Sequence, residues 1–162
     1  MKNITKFLMI AIFVSPVMFS CTDDDDPIVP QTVDQKLVGS WKVTAATINP
    51  AIDLDGDSIA ETTDIYNSIL FSVCDKDDLT IYSSDYTYKE DEGATKCDPS
   101  DPQISETGTW GLNSTKTMVT HTHSGIVDPP IVIVSLTSTT LTASTTDASF
   151  PGYTISFTMA KQ

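Results

Sequence analysis

The chain contains no arginine, and its nine basic residues, all lysine, stand against 22 acids, for a formal net charge of −13. So negative a surface repels phosphate backbones and anionic headgroups, which argues against nucleic-acid binding and against a polybasic membrane contact. Only two histidines are present. Neither is tied by spacing to a serine or cysteine nucleophile, so no catalytic constellation assembles from the sequence, and a non-enzymatic protein is expected. No apolar run reaches the roughly 20 residues of a membrane-spanning helix, since the longest, over residues 7–17, is too short. Three cysteines without a Cys-x-x-Cys pair do not suggest a closed zinc cluster. What the chain has in plenty is threonine, 24 of its 162 residues, which suits the wet face of a pleated sheet.

At the start of the chain, Lys2 and Lys6 precede the apolar run, Met18, Phe19 and Ser20 follow it, and then come Cys21 and the acids Asp23, Asp24, Asp25 and Asp26. A short apolar stretch with basic residues before it and a small residue before a cut is the pattern of a secretory signal, here residues 1–20. The cysteine at the cut resembles the lipobox of bacterial lipoproteins. That resemblance implies that Cys21 becomes the mature N-terminus and carries acyl chains, and at about 0.8 kcal/mol per buried methylene several chains hold a protein on a membrane permanently. A plain secreted chain with a free N-terminal cysteine is the simpler alternative. The acid run behind Cys21 is similar to the export tag of Bacteroidetes lipoproteins bound for the outer face of the cell. This implies an outer-membrane, surface-exposed location, with the periplasmic face as the alternative, although an ordinary solvated linker has the same composition. With Pro27 and Pro30 and almost no periodicity, residues 21–35 read as an extended tether.

Residues 36–162 then suffice for one domain with one core. If Cys21 is the lipid anchor, Cys74 and Cys97 remain in an oxidising compartment, where they read as one disulfide. Such a bridge closes a loop of about two dozen residues and adds roughly 3 kcal/mol. Period-two alternation predicts strands at Gly39–Ala45, with Trp41, Val43 and Ala45 on one face, and at Leu79–Ser83, Tyr86–Asp91, Ser105–Leu112, Lys116–His121, Ile131–Thr137, Thr140–Thr145 and Tyr153–Ala160. Ile131 to Val134 is apolar on both faces, as in a strand covered on both sides. Between the first two strands, Ile65, Tyr66, Ile69, Leu70 and Val73 recur at helical spacing behind Thr63 and Asp64, which predicts a short amphipathic helix ending near Cys74. Eight strands with short connections predict an all-β fold, an eight-stranded antiparallel up-and-down barrel, with a two-sheet sandwich as the alternative.

Gly39-x-Trp41 opening the first strand, Cys74-Asp75-Lys76-Asp77-Asp78, Cys97, Gly108-x-Trp110 and a final pair of Thr-rich strands occur in one order, from about Leu37 to the C-terminus. Together they resemble the lipocalin-like lipoprotein domains of Bacteroidetes. The resemblance implies that Gly39 lets the strand enter tightly, that Trp41 plugs the closed end of the barrel, and that Lys161 packs over Trp41 where lipocalins place an arginine.

Asp53-x-Asp55-Gly56-Asp57, followed by Glu61 and Asp64, offers alternating carboxylates to a hard cation and resembles EF-hand-like and dockerin-like calcium loops. The same residues also suit a solvated acidic turn. Asp57-Ser58-Ile59 resembles a Bacteroidetes O-glycosylation acceptor, which implies a glycan on Ser58. His121 and His123 lie two apart and face the same side of a strand, where they can share a metal with Asp128. Two exposed histidines at a strand end are the simpler account. Tyr86 and Tyr88, on one strand face, are the expected contacts for a ligand. The functional expectation is a membrane-anchored barrel binding a small apolar ligand or a surface protein partner. The alternative is a structural or adhesion-type accessory domain with a filled core.

Overall fold

A computed structural model describes residues 30–146 and 151–162. Thr32 opens the first element: its Oγ1 accepts from the Gln35 amide while Gln35 Oε1 accepts from the Thr32 amide, a reciprocal box that starts helix α1, Val33–Leu37. Residues 32–35 are therefore folded rather than part of an extended tether. The strands that follow are β1 (Gly39–Ile52), β2 (Thr62–Asp64), β3 (Leu79–Tyr82), β4 (Thr87–Asp91), β5 (Ile104–Leu112), β6 (Met118–His123), β7 (Ile126–Val127), β8 (Ile131–Leu136), β9 (Thr140–Thr145) and β10 (Thr154–Lys161).

Eight of these strands form a ring of antiparallel neighbours in the order β1-β3-β4-β5-β6-β8-β9-β10. It closes where β10 returns to β1, from Trp41 opposite Lys161 to Asn49 opposite Thr154. This closure makes the fold an up-and-down barrel rather than a sandwich, because both edges of the sheet find partners. The two short extra strands lie beside it: β2 pairs with the far half of β1, and β7 pairs with β6.

A bulge between Val43 and Ala45 shifts the pairing of β1 by one residue. Beyond it the inward residues are Ala46 and Ile48, both buried, and Ala45 faces out. The sequence expectation put Ala45 inside, and one inserted residue flips every later side chain to the other face.

The apolar run after β2 forms no α-helix. Asp64 accepts from the Asn67 amide and side chain, Ser68 Oγ donates to the Ile65 carbonyl and accepts from the Leu70 amide, and Asp75 accepts from the Ser72 amide. These side chains offer local partners that compete with helical ones, so the segment runs through successive turns to a single 3-10 turn at Cys74–Lys76. Cys74 and Cys97 are joined, with Cα atoms 5.2 Å apart.

One end of the barrel is filled. Leu37 and Trp41 are fully buried against Tyr82, Tyr88, Trp110, Leu141 and Met159. Trp41 Nε1 donates to the Leu37 carbonyl at 2.6 Å, tying the plug to α1. Lys161 Nζ lies 5.1 Å from the Trp41 ring and donates to the Lys36 carbonyl at 2.8 Å. Gly39 makes room for it: its φ is +137°, and a Cβ there would overlap Lys161 Cε. The second apolar group, Ala46, Ile48, Ile52 and Ile65, lies further along β1.

Candidate functional site

Between the plug and the loop after β2 the barrel holds a half-open cavity of about 470 Å³. One wall is apolar: Val43, Ala46 and Ile48 from β1, Ile155, Phe157 and Met159 from β10, and Ile131 from β8. Ile65, Leu70 and Phe71 reach over it from the turns after β2. The opposite wall carries Thr80 and Tyr82 from β3, Glu90 from β4 and His121 from β6.

The polar groups of that wall are paired with one another. Thr80 Oγ1 donates to Glu90 Oε2 at 2.9 Å, and Tyr82 Oη shares a 2.9 Å hydrogen bond with His121 Nε2. The His121 ring stacks on Tyr88, with centroids 4.3 Å apart. Gly108 lies opposite Tyr88 across the β4–β5 ladder, and a side chain there would collide with the Tyr88 ring. Tyr88 in turn donates a hydrogen bond to Glu106 Oε1.

Burial sets the charge of this wall. It pushes the Glu90 carboxyl up to about 7, helped by the nearby Glu106 and Asp78 and opposed by the Thr80 hydrogen bond. Glu106 stands directly across from Glu90 in the β4–β5 register. Burial lowers the His121 pKa against the pull of Asp128 and Glu106, and it raises the Tyr82 and Tyr88 phenols well above their ordinary range. Near neutral pH the wall thus presents a histidine biased toward its neutral form, a neutral phenol, a hydroxyl and a carboxyl whose protonated form burial favours. It can donate and accept hydrogen bonds with little fixed charge.

Of the residues singled out from the sequence, Gly39 and Trp41 sit at the plug and Cys74 and Cys97 form the bridge. Cys21 lies outside the described residues. Tyr86 and Tyr88 do not line the cavity. Tyr88 is fully buried beside it. Tyr86 adopts a φ of +64° just before β4, which breaks the alternation and turns its ring outward onto Trp110, with its hydroxyl 3.2 Å from Asp34.

In the acidic loop the carboxylates of Asp53, Asp55 and Asp57 converge within 4.8 Å of one another, and Glu61 and Asp64 are not in that group. Asp64 is engaged by Asn67 instead. The three convergent acids accept from the loop's own amides: Gly56 and Ser58 to Asp53, Asp57 to Asp55, and Ile59 to Asp57. Ser58 is exposed, with a φ of +72°.

His121 and His123 are part-buried on the inner side of β6 rather than exposed, His123 being the last residue of that strand, and they do not converge on one point. His121 turns to Tyr82, whereas His123 Nδ1 turns to Asp128 and Glu106.

The sequence reading missed Thr80 and Glu90 as cavity residues, whereas Tyr82 and Phe157, two of the aromatics it offered as pocket lining or core, do line the cavity. The signal for Thr80 and Glu90 was present in the parity of β3 and β4, where Thr80 and Tyr82, and Tyr88 and Glu90, lie two apart on faces that register brings together. Among known proteins, the profile of a family described as a domain of unknown function (DUF5004) matches residues 18–130, about seven tenths of the chain and everything through β7. No curated protein matches the sequence.

Proposed function

The chain belongs to the DUF5004 family, and from that premise we propose that it is a non-catalytic, membrane-anchored protein whose barrel binds a small, mainly apolar ligand. The cavity carries this reading: about 470 Å³ falls within the size range of small-molecule sites, and an apolar lining with a few convergent polar groups is their usual composition. The two walls imply a ligand with an apolar body lying against Ile48, Ile155 and Phe157 and a polar, uncharged end meeting Thr80 and Glu90. The eight-stranded ring and the Gly39–Trp41–Lys161 plug fit a lipocalin-like barrel.

Acyl chains on Cys21 supply the membrane partner in this proposal, and the acid run behind it favours display on the outer face of the outer membrane of a Bacteroidetes cell. Calcium held by Asp53, Asp55 and Asp57 would staple the loop before β2 rather than take part in ligand binding, and a glycan on Ser58 would project from the same exposed loop. A protein partner is the second reading. It rests on Ile126, Val127, Val132 and Val134, which β7 and β8 leave 41% to 66% exposed, where the sequence expectation covered both faces of the β8 strand.

Native mass spectrometry of the protein secreted from a bacterial host tests the binding proposal. Extra mass that disappears on denaturation, or a saturable adduct with an added long-chain alcohol, is the expected result. A chain that stays bare under both conditions argues for the structural, partner-binding reading.

A further inference from the structure

Three residues from three separate places meet beside the polar wall. Glu106 comes from the inner face of β5, His123 from the end of β6, and Asp128 from just after β7. His123 Nδ1 lies 3.2 Å from Asp128 Oδ2 and 3.4 Å from Glu106 Oε2, and one ligand atom from each residue lies within 4.8 Å of the other two. We infer that Glu106, His123 and Asp128 form a binding site for a divalent transition-metal ion.

The spacing fits such an ion. Metal–ligand bonds of about 2.0–2.2 Å in tetrahedral geometry hold the ligand atoms roughly 3.4 Å apart, and the His123–Asp128 and His123–Glu106 edges of 3.2 and 3.4 Å are close to that length. One imidazole with two carboxylates suits zinc, cobalt or manganese, whereas calcium takes oxygen ligands only.

Glu106 is also oriented from behind. Tyr88 donates to Oε1, which leaves Oε2 turned toward His123, and the Tyr88 ring is itself held by stacking on His121. Outer hydrogen bonds of this kind fix a carboxylate for a metal. The side chains of His123, Glu106 and Asp128 are 23%, 37% and 31% exposed, so an ion can enter and a fourth position is open to water. The site is separate from the acidic loop, whose three aspartates belong to one turn and bond their own backbone.

The test is titration of the purified full chain with zinc, and separately with cobalt, after removal of metals by chelation. One zinc per chain is expected, retained in an excess of calcium, with a raised melting temperature and a visible cobalt absorption of four-coordinate strength. Glu106→Gln keeps an acceptor for Tyr88, and His123→Ala removes the imidazole. Each should weaken zinc binding by about tenfold or more, while Asp55→Asn leaves it unchanged. If His123→Ala does not fold, Glu106→Gln and the cobalt spectrum decide. Absence of saturable zinc binding would show that His123 only ion-pairs with the two acids. That result overturns the inference, as does binding that survives Glu106→Gln or disappears with Asp55→Asn instead.

Discussion

The stability gained by replacing Glu90 with glutamine should grow as pH rises. Glu90 carries its carboxyl into the polar wall with one protein hydrogen bond, from Thr80, and faces Glu106 across the ladder. Its pKa moves from an ordinary 4.5 to about 7 in the fold. A raised carboxyl pKa means that the folded state binds more protons than the unfolded one, so the contribution to stability is full below 4.5 and is lost as pH rises through 7. At 1.36 kcal/mol per pH unit the ionised folded form is penalised by roughly 3 kcal/mol, and about 2 remain after allowing for the group's partial exposure. Glutamine keeps the shape and the acceptor for Thr80 without the charge.

The assay is urea denaturation of wild type and Glu90→Gln at pH 5 and pH 8 with chelator present. Asp78, pushed up to about 6 by burial and by its acidic neighbours Glu92, Asp75 and Asp77, titrates in the same direction in both proteins, and only its coulombic coupling to Glu90, the smallest of the causes of the Glu90 shift, differs between them. The stability gap in favour of glutamine should widen by about 2 kcal/mol between the two pH values, a shift of roughly 1–2 M in midpoint. Parallel profiles, with a gap independent of pH, would refute the claim that Glu90 is held desolvated in the wall.

Gly39→Ala should cost about 1–3 kcal/mol in a melt, since φ is +137° there and a Cβ would displace Lys161 from the Trp41 ring; an unchanged melt would remove the glycine from the plug. Cys97→Ser should cost roughly 3 kcal/mol by the chain-entropy argument, and reductant should lower the wild-type melt while leaving the variant unaffected. Leu37→Ala should cost about 2–5 kcal/mol, because the Leu37 side chain is fully buried in the plug and its removal leaves a cavity against Trp41. Cys21→Ala should move the protein from the membrane fraction to the medium or periplasm, and retention in membranes would count against a lipid anchor.

The strands were legible because a half-buried sheet writes its faces into the chain with period two, and β9 and β10 show it plainly. Features that depend on a single side chain or dihedral were not. α1 is one turn long, and only Thr32 and Gln35 mark it within a stretch that otherwise reads as linker. The run from Ile65 to Val73 has helical spacing, but Ser68 and Asp75 turn it aside, leaving Ile69 and Val73 at least 80% exposed. Ala45 and Tyr86 were misplaced by a bulge and by a positive φ, neither of which leaves a periodic trace. The pairing of Glu90 with Glu106 was beyond reading from either strand alone, because the connection over residues 92–103 sets which residues of β4 and β5 stand opposite each other. The polar wall and the three-residue cluster are products of that register.

The most direct test of the account is whether filling the cavity abolishes binding. Ala46 is buried in the apolar wall, so Ala46→Phe should occupy the space with little strain, where in a filled core it would cost about 1–3 kcal/mol. Titration with a fluorescent fatty alcohol should show one saturable site per chain in wild type and none in Ala46→Phe, with the variant's melting temperature equal or higher. An absence of wild-type binding, or binding undiminished in Ala46→Phe, would contradict the claim that this barrel works through its interior.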